Sequence, residues 1–317
     1  MYSTFMERIL VTGGAGFIGA NFVKLVWQND IEGFENIELI VLDSLSYASN
    51  YEYIEKCLGN RIEFVRGDIL DRKLVKELVA NVDGVINFAA ESHVDRSINN
   101  PNIFLETNII GASNLFVACE IGKKRILQVS TDEVYGSLNN GFADESYRLE
   151  PSSPYSSSKA SADLIGLAFY KTYGLDIVIT RCGNNYGLGQ FPEKLIPLFI
   201  KNLSTGKNVP LYGDGTNSRD WVHVEDHCNG IARAFQKGKS GNIYNIGNVD
   251  HLSNLQVTQE ILTAMKLGWD RVDKVADRLG HDWRYAISSN KIRDELNWFP
   301  KKKFREELSS LIDFYSK

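Results

Sequence analysis

The sequence predicts an α/β protein, a Rossmann-like, doubly wound parallel sheet joined to a smaller, mixed α/β region. Three observations carry this expectation. A short apolar run, Arg8 to Thr12, ends directly in the glycine cluster Gly13-Gly14-Ala15-Gly16. Later runs are continuously apolar rather than alternating, as in strands buried on both faces. Helix-length segments separate them.

In chain order, the strand Arg8–Thr12 is followed by a helix whose apolar face carries Ile18, Phe22, Leu25 and Val26. Strands are then expected over Glu38–Asp43, Ile62–Arg66, Gly84–Phe88, Arg125–Val129 and Asp176–Thr180, with a helix over Ser156–Tyr173. Beyond residue 182 the texture changes. Prolines 192, 197 and 210 and the turn Gly213-Asp214-Gly215 interrupt the pattern, and shorter elements lead to a helical C-terminus. Residues 1–182 are expected to form a dinucleotide-binding domain to which part of 219–240 returns, and 183–317 mainly a substrate-binding region interleaved with it.

Composition limits the function classes. The 317 residues are 43% hydrophobic and 24% charged, which excludes a disordered or fibrous chain. A net charge of −5 gives no electrostatic reason to expect nucleic acid or an acidic membrane, and Lys301-Lys302-Lys303 reads as a solvated surface. Cys57, Cys119, Cys182 and Cys228 form no Cys-x-x-Cys pair, so no metal is expected and a reducing compartment is. The N-terminus lacks the apolar stretch of a signal peptide, and no run is long enough to span a membrane. The expectation is a cytoplasmic protein.

The glycine cluster lies between the first strand and the first helix. Gly13, Gly16 and Gly19 allow a tight turn and close approach to a pyrophosphate, and the helix offers free N–H groups there. Asp43 ends the second strand, where an acid bonds the ribose hydroxyls and disfavours a 2′-phosphate, so NAD is expected rather than NADP. Asp68 follows the third strand and suits the adenine; Ala89 and Ala90 follow the fourth and leave room for the cofactor.

Tyr155 and Lys159 are one helical turn apart and share a face. An ammonium beside a phenol favours the phenolate, which makes tyrosine usable as a base. Thr131-Asp132-Glu133 follows the strand that begins at Arg125, at the carboxyl end where such sheets bind ligands. If the surroundings separate the two carboxyl pKa values, Asp132 serves as acid and Glu133 as base, with Thr131 bonding the hydroxyl that Tyr155 deprotonates.

These residues resemble the extended short-chain dehydrogenase/reductase family and, within it, the nucleotide-sugar 4,6-dehydratases. The resemblance rests on Ala89 to Ser97, Ser130 to Gly136, Ser153 to Ala160, Asn184 to Gly187, Phe191 to Pro197, Arg219 to Trp221, Val224 to His227, Tyr244 to Gly247 and Gly280 to Asp282. It implies a redox-neutral, NAD-dependent dehydration of dTDP-glucose to its 4-keto-6-deoxy product. In that reaction Tyr155 takes the 4-hydroxyl proton, Glu133 the C5 proton, and Asp132 protonates the departing C6 hydroxyl. It further implies that Phe17, Ile18, Ile69, Thr107 and Asn185 contact NAD, with Lys159 on the nicotinamide ribose. Ser92, His93, Asn184, Lys194, Leu195, Tyr212, Arg219, Asn254, Arg278, His281 and Tyr285 would join Thr131 in holding the nucleotide sugar.

The resemblance also implies a homodimer built through a four-helix bundle of the segments 102–121 and 156–173. His93, His223, His227 and His251 are read as structural rather than catalytic. Gly183, Leu279 and Trp283 depart from the family's usual serine, proline and arginine, which bears on substrate identity. Dehydratases of UDP- or GDP-sugars, a 4-epimerase and a UDP-glucuronate decarboxylase are the neighbouring readings, and a sensor without chemistry a distant one. The pair Asp132-Glu133 distinguishes the dehydratases from the epimerase and the decarboxylase.

Overall fold

The structure, a computed structural model, describes residues 6–248, 251–277 and 282–317. Strands β1 (Arg8–Thr12), β2 (Glu38–Asp43), β3 (Ile62–Arg66), β4 (Gly84–Asn87), β5 (Arg125–Thr131) and β6 (Ile177–Cys182) alternate with helices. Three short strands follow, β7 (Asn184–Tyr186), β8 (Val209–Tyr212) and β9 (Ser218–His223), then β10 (Ile243–Ile246), β11 (His251–Ser253) and β12 (Val272–Val275). Seven strands form one parallel sheet in the order β10-β6-β5-β4-β1-β2-β3. The order reverses between β1 and β4, and the crevice opens there at the carboxyl ends of the strands. This is the Rossmann-like α/β architecture expected from the sequence.

Successive residues of each strand feed opposite faces. Ile9 and Val11 enter one core, with Phe22, Ile231 and Phe235; Leu10 enters the other, with Val75, Leu115 and Phe116. Both faces are thus apolar, which explains the continuous hydrophobic runs. A third core, containing Ile196, Phe199, Trp221, Val257, Ile261 and Leu311, lies under the mixed three-stranded sheet β11-β9-β7 and the parallel pair β12-β8. Helix α1 (Phe17–Gln28) follows the glycine loop, α2 (Pro154–Tyr173) carries Tyr155 and Lys159, and α3 (Val224–Lys237) packs across β5 and β6. Among the described residues no helix is long and apolar enough to cross a membrane.

Two differences from the expected elements shape the site. β5 and β6 each run two residues further than their apolar stretches, to Thr131 and Cys182. The polar residues at those ends are buried and the ladder continues through Ser130↔Arg181 and Thr131↔Cys182. Arg181 is accommodated by an ion pair with Asp163 at 2.9 Å, with both side chains buried. The segment 102–121 is not one regular helix: a π-helical turn, Glu106–Gly111, interrupts it. Asn108 in that turn is held by the Glu91 backbone and by the Ser158 hydroxyl of α2.

Candidate active site

The glycine loop is shaped by close backbone approach. Gly13 has φ +67°, and a Cβ there would stand 2.5 Å from the Ala89 nitrogen, so the β1 and β4 loops meet only through glycine. Gly16 precedes α1 and the helix has no side-chain cap, which leaves its first-turn N–H groups and positive dipole end for an anion. These features fit the pyrophosphate of a dinucleotide. Asp43 Oδ2 accepts from Ala15 N at 2.9 Å, while Oδ1 accepts from Leu45 N and Ser49 Oγ, both at 2.8 Å. Its carboxylate therefore ties the glycine loop to the loop after β2, besides facing the cleft where a ribose was expected.

A cleft of about 510 Å³ runs along the strand ends and brings together all the residues expected to bind the cofactor. Gly13, Gly16, Phe17, Ile18 and Gly19 line one part, with Asp43, Asp68 and Ile69. Ala89, Ala90 and Thr107 continue it towards Tyr155, Lys159 and Asn185. Thr131, Asp132 and Glu133 line the same space.

The groups expected to react are placed by two element ends. Thr131 closes β5, and Asp132–Tyr135 turn away as a single 3-10 turn in which Glu133 N donates to Thr131 Oγ1 at 3.3 Å. Opposite, Ser153 and Ser156 form a capping box and Pro154 opens α2, two residues earlier than the apolar pattern indicates. Asp132 is 2% exposed, and its Oδ2 has no hydrogen-bond partner among the described residues. Burial, then the charges of Glu133 and Asp220, push its pKa well above the usual carboxylate value, with Arg219 and the Thr131 hydroxyl opposing. The surroundings of Asp132 therefore favour its neutral form, next to the half-buried Glu133.

Tyr155 differs from expectation in one respect. Its phenol pKa is pushed up, by burial first and then by Glu133, rather than lowered. Lys159 Nζ donates to the Val129 carbonyl at 2.7 Å, and burial also lowers the lysine pKa, against the attraction of Asp163. Burial and the neighbouring acidic groups thus prevail at the phenol. A hydrogen bond with Thr131 acts in the opposite sense and links the tyrosine to the acid pair.

The residues expected to hold the nucleotide sugar divide into two groups. Ser92, Thr131, Asn184 and Lys194 line the cleft. His93, Leu195, Tyr212, Arg219, Asn254 and Tyr285 do not. His93 precedes a short helix and its Nε2 lies 3.5 Å from Glu193 Oε1, and Leu195 opens a helix that packs on the third core. Asn254 begins another helix, its N–H bonded to the Asn217 carbonyl, and Tyr212 is half exposed at the end of β8. Arg219 and Tyr285 form a separate cluster beside the acid pair. The guanidinium carbon lies 4.6 Å from the Tyr285 ring centre and Nη2 donates to the Asp282 carbonyl at 2.9 Å. Tyr285 also bonds the Asp282 carboxylate, and Glu133 contributes to raising its pKa. Arg278, Leu279 and His281 lie outside the described residues.

The structure adds residues to the cleft that sequence reasoning did not assign. Cys182, Gly183 and Glu193 line it, as do Tyr47 and Glu91. Glu193 had a signal, a carboxylate adjoining Lys194 in a segment already matched. Cys182 had one only in retrospect, since its strand proved longer than its apolar run. Gly183 is tightly packed: a Cβ there would stand 2.6 Å from the Asp220 carbonyl oxygen, so a serine requires a shift of β9.

Fold and site together define a short-chain dehydrogenase/reductase class with an acid pair added at the end of β5. Residues 10–311 match the family model described as GDP-mannose 4,6 dehydratase, and the chain belongs to that family. It is 48% identical over 315 residues to a dTDP-glucose 4,6-dehydratase of Streptomyces antibioticus, covering 97% of this chain and 92% of the relative. A solved dTDP-glucose 4,6-dehydratase from Streptomyces venezuelae with NAD bound has a TM-score of 0.95 at 47% identity, covering 97% of this chain and 96% of that one. The NAD complex of the Bacillus anthracis enzyme of the same name gives 0.90 at 43%, covering 98% and 96%.

Proposed function

We propose that the protein converts dTDP-glucose to dTDP-4-keto-6-deoxyglucose by a redox-neutral dehydration. The observation that carries this reading is the buried acid Asp132 beside Glu133, facing the same cleft as Tyr155 and Lys159. NAD, when bound, supplies a hydride acceptor that later returns the hydride, so no net oxidant is consumed. The loop Gly13 to Gly19, Asp43 and Asp68 would hold its adenosine and diphosphate, and Thr107, Tyr155, Lys159 and Asn185 its nicotinamide end.

The chain's own residues move the protons. Tyr155 receives the proton of the 4-hydroxyl as C4 is oxidised; burial opposes the phenolate that this requires, and the Thr131 hydrogen bond favours it. The 4-ketone acidifies the C5 proton, which Glu133 removes. Asp132, kept neutral by burial and by its neighbours, gives its proton to the C6 hydroxyl, and water leaves. Glu133 then returns a proton to C5. Two adjacent carboxyl groups with different protonation states divide acid and base work between them.

Ser92, Asn184 and Lys194 would hold the nucleotide sugar within the cleft, with Arg219 and Tyr285 extending it. We assign residues 1–182 and the returning part of 219–240 to NAD binding, and most of 183–317 to the substrate. A homodimer through a four-helix bundle is supported by apolar side chains left exposed on the facing segments, Ile103, Ile110, Val117 and Ile121 on one and Leu164 and Tyr173 on the other. The decisive experiment incubates purified protein with dTDP-, UDP- and GDP-hexoses carrying deuterium at C4. The expected result is conversion of dTDP-glucose without net reduction of added NAD, with the label moved to C6. Label retained at C4 refutes the dehydration, and turnover of another nucleotide alone refutes the substrate.

A further inference from the structure

We propose that His227 is a positioning residue, whose Nδ1–H fixes the Asn185 amide and with it the wall of the cleft at the nicotinamide end. This deepens the proposed reading of the cleft as an NAD site and rests on it. His227 lies in α3, fully buried, and its Nδ1 is 2.9 Å from Asn185 Oδ1. The other end of the amide is also engaged. Asn185 Nδ2 donates to the Gly183 carbonyl at 3.1 Å and to Cys182 Sγ at 3.4 Å. The Asn185 carbonyl accepts from Gln190 Nε2 at 2.9 Å. Cys182, Gly183, Asn185 and Gln190 all line the cleft.

The hydrogen-bond pattern selects one imidazole tautomer. Turning the Asn185 amide over would set its oxygen against the Gly183 carbonyl, two acceptors with no proton between them. Nδ2 therefore stays on Gly183 and Oδ1 faces the histidine. An amide oxygen only accepts, so the proton must be on Nδ1. Nε2 is then a bare nitrogen, and it is buried with no hydrogen-bond partner among the described residues. Burial depresses the imidazole pKa to about 3, so the ring is neutral across the working range.

The chemistry gives this fixed wall a purpose. A redox-neutral dehydration removes hydride from one carbon of the sugar and delivers it to another before the sugar or the reduced cofactor can dissociate. The cofactor site must hold its register through both transfers, and a misplacement of ~1 Å can cost about 100-fold in rate. His227 couples the wall to α3, an element that lies against the sheet and outside the cleft.

Two measurements test the assignment. Nitrogen-15 NMR of histidine-labelled wild-type protein should find His227 protonated at Nδ1 and bare at Nε2; the opposite tautomer overturns the proposal without any variant having to fold. Turnover of dTDP-glucose is then compared in H227L, H227Q and H227N. H227L lacks the donor and H227Q places it at the Nε2 end, so both should lose about 10- to 100-fold in kcat with KM moved less than about threefold. H227N keeps a donor near Nδ1 and should recover most of the loss. Wild-type rates in H227L, or equal loss in all three, reduce His227 to a packing residue. If wild-type protein converts no nucleotide sugar, the functional reading fails, while the NMR result still reports on the histidine–amide pair.

Discussion

Replacing Asp132 by Asn keeps the shape of the side chain and removes the proton it would give to the departing hydroxyl. Two effects of opposite sign follow. Loss of a general acid costs about 10²–10⁴ in rate, or about 2.7–5.4 kcal/mol of barrier. On the proposed mechanism C4 oxidation depends on Tyr155, so it should fall less than about tenfold. Stability should move the other way. The native pKa of Asp132 is raised above its ordinary 3.8, so between those two values the folded chain binds more protons than the unfolded one. Wild-type stability therefore falls as pH rises from 3.8 towards the native pKa, and the D132N variant has no such loss. The D132N variant should therefore gain stability on wild type between about pH 4 and about pH 8, by the free energy that wild type loses over that interval. Rapid-quench mass spectrometry separates the 4-keto-hexose from the 4-keto-6-deoxy product, and urea melts at the two pH values give the stability difference. Equal loss of oxidation and dehydration refutes the division of roles. A stability difference independent of pH refutes the neutral buried acid.

The Asp163–Arg181 pair is buried at 2.9 Å, so D163N leaves a buried guanidinium unpaired and should cost about 3–5 kcal/mol in urea unfolding; the double variant D163L/R181M should recover most of it. A cost below about 1 kcal/mol would mean that the pair is not desolvated. Leu164 is 57% exposed on the helix expected to face a second copy, so L164E should convert a dimer to a monomer in sedimentation velocity. An unchanged dimer places the interface elsewhere.

Much of the fold could be read in the chain because both faces of the sheet are covered, which makes each central strand a continuous apolar run. The pattern failed where polar residues are buried with partners. Ser130, Thr131, Arg181 and Cys182 extend β5 and β6 although none looks like a strand-core residue, since Asp163 supplies the missing charge to Arg181. The cofactor loop was legible because φ +67° at Gly13 and its contact with Ala89 demand glycine at that position. The second carboxylate was not. Asp220 raises the Asp132 pKa from β9, far away in sequence, and only the pairing of β7 with β9 brings that strand beside the strand ends.

The acid pair shows how adjacency in sequence becomes difference in chemistry. Thr131 is the last extended residue, with φ −138° and ψ 155°, and Asp132 begins a 3-10 turn. The backbone changes direction between them, so neighbouring side chains diverge instead of alternating across a strand. Asp132 turns inward to 2% exposure, near Asp220 and Cys182, while Glu133 stays half-buried in the cleft wall. Burial alone would neutralise Asp132, and Glu133 reinforces it, since two close carboxylates resist ionising together. The Glu133 charge thus favours the proton on Asp132. A single carboxylate at this strand end would have to serve as base at C5 and acid at C6 in turn. On the proposed mechanism, two of them, separated by one change of backbone direction, would hold both states at once.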